Sequence, residues 1–311
     1  MKYPVIGLAP MDGVTDVVFR SIIDTYGKPD LLYTEFISVK GLLIGKPSID
    51  RILLIHKTKT PTIVQLFGSD PELFYQATLK VLDLGFAGVD INMGCPEKSV
   101  FNRGGGAGLI LKPELAIEII KSVQKAVKDK RKKNFTVSVK TRTGYKIHET
   151  REWIGQLLTA EPDFICVHGR TYKQKYTGLA DWEQIGIAAD LAKKTKTKIF
   201  GNGDVKNKRE ALEKIKQYHL DGVLIGRAAL SNPWIFQDKI PNFTERIEII
   251  LEHCKRFKQF YPQGNFAIMR KYLGWYAKDF PNSAKVRNEL MKVNDIEEVK
   301  EILFNFSLLK Q

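Results

Sequence analysis

The sequence has few residues that could cross-link it or bind a metal. Its 311 residues contain three scattered cysteines, Cys95, Cys166 and Cys254, a number that excludes a disulfide framework and a four-cysteine zinc site. The five histidines, at positions 56, 148, 168, 219 and 253, form no pair with metal-ligand spacing. We therefore predict no metal site.

Long apolar runs are also missing. No segment reaches the roughly 20 apolar residues of a membrane-spanning helix, and residues 1–5 lead directly into a strand-like run, so no signal or transit peptide is predicted. With 43% hydrophobic and 27% charged residues, the composition excludes a disordered chain and fits a soluble globular protein. We expect a cytoplasmic protein that is monomeric by default.

What the sequence does contain is a regular alternation of apolar, β-branched runs with helical stretches, which is typical of βα units. Strands are predicted at residues 5–9, 31–36, 62–67, 88–92, 135–141, 164–168, 199–202 and 222–225. Helices are predicted between them at 16–26, 39–54, 71–84, 113–128, 149–158, 182–193 and 207–218. Eight such units predict an α/β fold, a closed (β/α)8 TIM barrel, over residues 1–240.

The pattern changes after residue 240, where strand-like runs end. Helices are predicted at 244–260, 265–279, 283–291 and 296–308, separated by turn-forming segments at 261–264 and 280–282. Residues 241–311 are therefore predicted to form a small C-terminal helical bundle, a second domain after the barrel.

The chemistry of such a barrel lies where its strands end. Cys95 follows the fourth strand, between Gly94 and Pro96, and its spacing alone leaves open a catalytic thiol or a structural loop cysteine. Cys166 lies within a strand and Cys254 within a helix, and both are predicted to pack in the core.

Polar residues at other strand ends indicate a cofactor site. Residues 202–204 and 226–227 follow the seventh and eighth strands, where barrels often bind a phosphate; alternatively, the glycines only form turns and Arg227 pairs with a carboxylate. Lys140 and His168 would suit an electron-rich cofactor, although either residue type is ordinary at a strand end. Gln65 lies in an apolar strand, where a buried amide needs partners.

These motifs together resemble those of the tRNA-dihydrouridine synthase family. The similarity is carried, in the same order along the chain, by residues 9–16 with Phe19 and Arg20, 90–96 (Asp-Ile-Asn-Met-Gly-Cys-Pro), 139–142, 167–171, 202–204, 225–229 and 270–276. The resemblance implies an enzyme with bound FMN, reduced by NADPH or NADH, that reduces the C5=C6 bond of uridines in tRNA. It implies that hydride passes from flavin N5 to uracil C6 and that Cys95 gives a proton to C5.

The resemblance also implies roles for individual residues. Gln65 would bond the flavin edge, Asn92 the uracil, and Asp204 could take part only through its backbone, its turn geometry or a bond to a group other than the phosphate. The remaining implied flavin contacts are the first-loop residues Pro10, Met11 and Asp12, the ring or ribityl contacts Lys140 and His168, and the phosphate contacts Asn202, Gly203, Gly226 and Arg227.

The positive charge can be divided by its position in the predicted barrel. Lys and Arg number 49 against 35 Asp and Glu, and this net charge of +14 favours a polyanionic partner. The dense basic runs at residues 128–133 and 193–198 precede strands, so we predict a solvated rim on the face opposite the site. The predicted tRNA contacts are basic residues that follow strands, with two from the tail: Arg142, Arg170, Lys173, Lys175, Arg270 and Lys271.

Two rival functions fit parts of the sequence. Another FMN barrel, such as a dihydroorotate dehydrogenase, would share the phosphate site, but the helical tail, the basic excess and the Met-Gly-Cys-Pro loop favour the tRNA enzyme. A non-catalytic tRNA-binding protein on a retained barrel would be favoured by loss of the thiol or the phosphate site, and both are present.

Overall fold

The computed structural model describes residues 3–280 and 282–308, with the side chains of 307 and 308 left aside. Its centre is one sheet of eight parallel strands, each paired with its neighbours in chain order. The strands are β1 Val5–Leu8, β2 Leu32–Ser38, β3 Thr62–Phe67, β4 Gly88–Met93, β5 Thr136–Arg142, β6 Phe164–His168, β7 Lys198–Asn202 and β8 Gly222–Ile225.

The sheet closes on itself. β1 pairs with β8, and on its other side the Leu8 N–H donates to the Leu31 carbonyl at 2.9 Å, and the Asp30 N–H to the Ile6 carbonyl at 3.0 Å. These bonds join the two ends of the strand series, so the predicted TIM barrel is confirmed.

Helices follow the strands and cover the outside of the barrel. Several begin as predicted at a capping residue: Asp70 accepts from the Leu73 N–H at 3.1 Å, directly before Pro71. The barrel helices are α1 Val17–Tyr26, α2 Val39–Leu43, α3 Pro47–Ile52, α4 Pro71–Leu82, α5 Lys98–Phe101, α6 Pro113–Asp129, α7 Thr150–Leu158, α8 Trp182–Ala192, α9 Lys208–Tyr218 and α10 Ala228–Ser231, with 3-10 turns at Gly106–Leu111 and Pro233–Gln237.

The helix predicted at 39–54 is wrong as a single element. The chain leaves α2 at Gly45, whose φ of 69° lies in the left-handed region, and α3 starts at Pro47. A residue before proline is disfavoured in the helical conformation, so the Gly-Lys-Pro sequence divides the stretch in two.

In the part of the tail that the structure describes, the helices are α11 Phe243–Phe260, α12 Arg270–Tyr276, α13 Ser283–Leu290 and α14 Ile296–Leu308, with a 3-10 turn at Phe266–Met269 before α12. It packs on α1 through apolar and polar contacts. Phe19 stacks on Tyr272 with centroids 5.7 Å apart, and the Arg256 guanidinium donates to the Ser21 carbonyl at 2.7 Å. Because Tyr272 also donates to the Val14 carbonyl at 3.0 Å, the tail supports the loop that follows β1.

The barrel interior is apolar towards the amino ends of the strands and polar near their carboxyl ends. Cys166 belongs to the interior cluster with Tyr33, Phe164 and Phe200, and Cys254 is fully buried in the tail, as predicted for both. Across residues 3–280 and 282–308, no helix combines the length and apolar character needed to cross a membrane.

Candidate active site

A cavity of about 940 Å³ opens at the carboxyl ends of the strands. This is the end at which TIM barrels carry their reactive groups. All eleven residues predicted for the cofactor lie on its wall: Pro10, Met11, Asp12, Gln65, Lys140, His168, Asn202, Gly203, Asp204, Gly226 and Arg227.

Cys95 lies on the same wall, in the loop after β4. The loop is held by Asn92, the penultimate residue of β4, whose Oδ1 accepts from the N–H groups of Gly94 at 3.1 Å and Cys95 at 2.8 Å. Burial raises the pKa of the Cys95 thiol, and the nearby carboxylates of Asp12 and Glu97 add to that shift. The group is therefore a thiol at neutral pH, suited to donating a proton.

Gln65 joins two strands through both ends of its amide. Its Nε2 donates to Asp90 Oδ2 at 2.8 Å, and its Oε1 accepts from Asn92 Nδ2 at 3.0 Å. Asp90 also accepts from Ser138 Oγ at 2.6 Å, and its burial raises the pKa to about 6. Gln65 keeps one N–H and one lone pair for a ligand in the cavity.

Lys140 and His168 supply polar groups of different kinds. Lys140 Nζ donates to Asn202 Oδ1 at 3.0 Å, and burial lowers its pKa. Burial, reinforced by the neighbouring cations, lowers the pKa of His168 well below its usual value, so the imidazole is neutral. Arg170 Nη1 lies 3.1 Å from His168 Nε2; since an arginine can only donate, Nε2 is the acceptor and Nδ1 carries the proton.

Asp204 is bound by two arginines. Its carboxylate accepts from Arg170 Nη2 and from the Ala180 N–H, at 2.6 and 2.8 Å, and from Arg227 Nη2 at 2.8 Å. Burial alone would raise the pKa of Asp204, but the Ala180 N–H and Arg170 hold it below its usual value. Arg227 therefore pairs with the carboxylate of Asp204, which is one of the two alternatives that the sequence left open for it. Its side chain is 59% exposed on the cavity wall, so it can also bind an anion.

Gly203 shapes the wall beside Asp204. Its φ of 131° is one that other residues rarely adopt, and a Cβ there would lie 2.5 Å from Ala180 Cβ and 3.2 Å from the His168 ring. Only glycine leaves this approach to the backbone open.

Two of the predicted tRNA residues have their guanidinium groups occupied by the protein. Arg142 and Arg170 are each 2% exposed. Arg142 donates to the Gly94 carbonyl at 2.7 Å and so fixes the Cys95 loop from a second side, while Arg170 binds Asp204. Both residues brace loops in this structure, and Arg142 also lines the cavity. Their contact with tRNA stays a prediction.

The two tail candidates also have partners within the chain. Arg270 donates to the Val293 carbonyl at 2.9 Å and the Lys292 carbonyl at 3.0 Å, and the Lys271 ammonium donates to the Gly13 carbonyl. They brace the tail and the first loop, and their contact with tRNA stays a prediction. Lys173 and Lys175 are exposed on the loop after β6, outside the cavity.

Sequence reasoning missed several wall residues. Tyr176 and Leu179, 60% and 82% exposed, come from the β6 loop, and Lys278 reaches the cavity from the tail. In the sequence, Tyr176 and Leu179 could have been identified as an aromatic and an apolar residue in a loop that also carries Lys173 and Lys175. In the described ranges, three or more His, Cys, Asp or Glu residues nowhere gather into a possible metal site.

Comparison with known proteins agrees with the motifs. The model of the family described as Dihydrouridine synthase (Dus) matches residues 7–310. A probable tRNA-dihydrouridine synthase of Staphylococcus aureus (strain COL) is 30% identical, covering 96% of this chain and 92% of that protein; a probable tRNA-dihydrouridine synthase 1 of Synechocystis sp. is 31% identical, covering 95% and 84%.

Among solved structures, the 6-hydroxypseudooxynicotine amine oxidase from Pseudomonas geniculata N1 superposes with a TM-score of 0.57 at 14% identity, over 81% of this chain and 50% of that one. That likeness extends to the barrel fold alone. The family match covers nearly the whole sequence, including the loop that carries Cys95, and the chain therefore belongs to the dihydrouridine synthase family.

Proposed function

We propose that this protein reduces the C5=C6 bond of specific uridines in tRNA to 5,6-dihydrouridine, with bound FMN as the reductant and NADPH or NADH as the source of electrons. The observation that carries the proposal is one cavity in which the Cys95 thiol shares a wall with Lys140, His168 and Arg227. Membership of the dihydrouridine synthase family supports the reaction.

The donor set of the cavity fits a flavin mononucleotide. Arg227 and the glycine-lined wall at Gly203 suit a dianionic phosphate, and Lys140 suits the negative charge of a reduced ring. Gln65 has donor and acceptor capacity left for the polar edge of the ring, and neutral His168 can donate from Nδ1. When bound, FMN supplies the hydride that uracil receives at C6.

The protein's own part is to place the uracil and supply the proton. Cys95 Sγ–H donates its proton to uracil C5, and solvent then restores the thiol. Asn92 uses its Oδ1 and one N–H within the protein, which leaves a second N–H for a uracil carbonyl. Tyr176 at the cavity mouth offers a ring face to a base that has left the RNA stack.

The test is direct. Purified protein incubated with FMN, NADPH and unmodified tRNA should form dihydrouridine, measured by mass spectrometry of the digested RNA, and should leave dihydroorotate and orotate unchanged. Reaction with orotate instead of tRNA would favour the dihydroorotate dehydrogenase reading. Tight FMN binding without either reaction would contradict the proposed function.

Arg227 provides a second test, of the phosphate subsite. Arg227→Ala should weaken FMN binding by roughly 10- to 100-fold, since one charge-assisted hydrogen bond to an anion is worth about 1.5–3 kcal/mol. The measurement is quenching of flavin fluorescence during titration. Arg209→Ala is the matched control, because Arg209 is an exposed arginine paired with Asp238. Equal affinities for the two variants would remove Arg227 from the site.

We also propose that residues 241–311 form the tRNA-binding domain. Lys278 brings a cation from this tail to the cavity, and the tail braces the first loop at Gly13 and Val14. With tRNA as substrate, the cytoplasm is the proposed location.

A further inference from the structure

We infer that Asp90 is a positioning residue that fixes the Cys95 loop through Gln65 and Asn92. Asp90 is fully buried behind the cavity wall, on β4, and is joined through these two side chains to the backbone N–H of Cys95. The inference rests on the proposed function for its effect on the reaction, whereas its effect on the loop can be measured without any cofactor or RNA.

The direction of each hydrogen bond follows from the first one. An ionised carboxylate can only accept, so Gln65 must turn its Nε2 towards Asp90 Oδ2, 2.8 Å away. That orientation turns Gln65 Oε1 towards Asn92, which must then present Nδ2 to it, at 3.0 Å.

The orientation of Asn92 decides how the loop is held. With Nδ2 occupied by Gln65, Oδ1 faces the loop and accepts from the N–H groups of Gly94 and Cys95. Reversing either amide would place a donor against a donor and leave a buried polar group without a partner, which is unfavourable. Asp90 at one end and the two loop N–H groups at the other therefore favour the same arrangement of this chain of side chains.

An acid at this place needs partners, because burying a carboxylate is costly. Asp90 is fully buried, and its hydrogen bonds to Gln65 and Ser138, together with the nearby Lys140 ammonium, offset that cost. Ser138 Oγ, 2.6 Å from Asp90 Oδ1, occupies the other oxygen and makes no bond to Gln65. Asp90 therefore uses Oδ1 for a contact within the core, with Ser138, and Oδ2 for the contact with Gln65 that leads to Cys95.

Asp90→Val is the main variant, because it replaces the carboxylate with a small apolar side chain and so removes both acceptors. The first measurement is site-resolved alkylation by iodoacetamide of the cofactor-free protein. Cys95 labelling should become about 3- to 10-fold faster as the loop loosens. Cys166 and Cys254, each 0% exposed, should stay unlabelled, which distinguishes a local change from general unfolding.

The second measurement is tRNA reduction. In Asp90→Val, kcat should fall about tenfold with KM for tRNA unchanged, the size expected for one lost positioning hydrogen bond. Asp90→Asn should restore both readouts, since its Oδ1 can face Gln65 while its Nδ2 donates to Ser138 Oγ. Ser138→Ala, the matched control, should label like the unaltered protein.

Three outcomes would overturn the inference: unchanged Cys95 labelling in Asp90→Val, an equal effect in Ser138→Ala, or failure of Asp90→Asn to restore the slow rate. If Asp90→Val does not fold, Gln65→Met cuts the same chain at its middle and must give the same faster labelling. If the unaltered protein forms no dihydrouridine, the proposed function fails, while the labelling series still decides the role of Asp90.

Discussion

Replacing Cys95 with alanine should abolish dihydrouridine formation while leaving FMN binding and NADPH oxidation intact. In the proposed reaction the thiol is the proton donor, and removal of a general acid typically costs 10²- to 10⁴-fold in rate. Reduction of the flavin by NADPH does not need this proton, so the yellow colour and the reductive half-reaction should survive. The readouts are single-turnover dihydrouridine formation, flavin absorbance and NADPH consumption.

The thiol also sets the pH dependence of the same reaction. Because burial raises the pKa of Cys95, the proton needed at C5 is present at neutral pH and is lost only as the pH rises through that raised value. The rate should therefore hold through pH 8, where an ordinary cysteine begins to ionise.

Cys254→Ala is the control for Cys95→Ala, since Cys254 is buried in the tail. Normal tRNA reduction by Cys95→Ala would remove Cys95 from the mechanism.

Much of the fold follows from local pattern. Strand and helix positions came from short apolar runs and capping residues, and β3, β6 and β8 start and end where the sequence places them. The exception at residues 39–54 depends on one glycine and one proline within an otherwise helical stretch. The barrel then places the eleven residues predicted for the cofactor in one cavity, because strand ends meet there whatever their separation in sequence.

What the sequence could not supply are partners that only the closed barrel brings together. Arg142 ends β5 and Arg170 follows β6, where residues that bind phosphate would lie. The carbonyl of Gly94 and the carboxylate of Asp204 reach them from loops 48 and 34 residues away. The hydrogen bonds of Gln65 with Asp90 and Asn92 likewise join β3 to β4 through side chains. The alternation of a strand predicts which face of the sheet each residue lies on. It does not predict which end of a glutamine or asparagine amide faces which partner.

Charge reversal should locate the surface that receives tRNA. Lys173→Glu with Lys175→Glu should weaken tRNA binding by roughly 10- to 100-fold at low salt and reduce the slope of log K against log salt by about two, as expected when two phosphate contacts are lost. Both side chains are exposed on the loop after β6, which also carries Tyr176 to the cavity mouth. Filter binding or fluorescence anisotropy across a salt series gives both quantities.

The matched control has the same charge change on the opposite face. Lys132 and Lys133 are exposed between α6 and β5, at the amino ends of the strands, where a bound tRNA could not bring uracil to Cys95. Lys132→Glu with Lys133→Glu alters the net charge of +14 by the same amount. It should therefore reproduce the long-range part of the effect without changing the salt slope. The opposite ranking of the two pairs would place the tRNA on the far face and contradict the assignment of the cavity as the site of reduction.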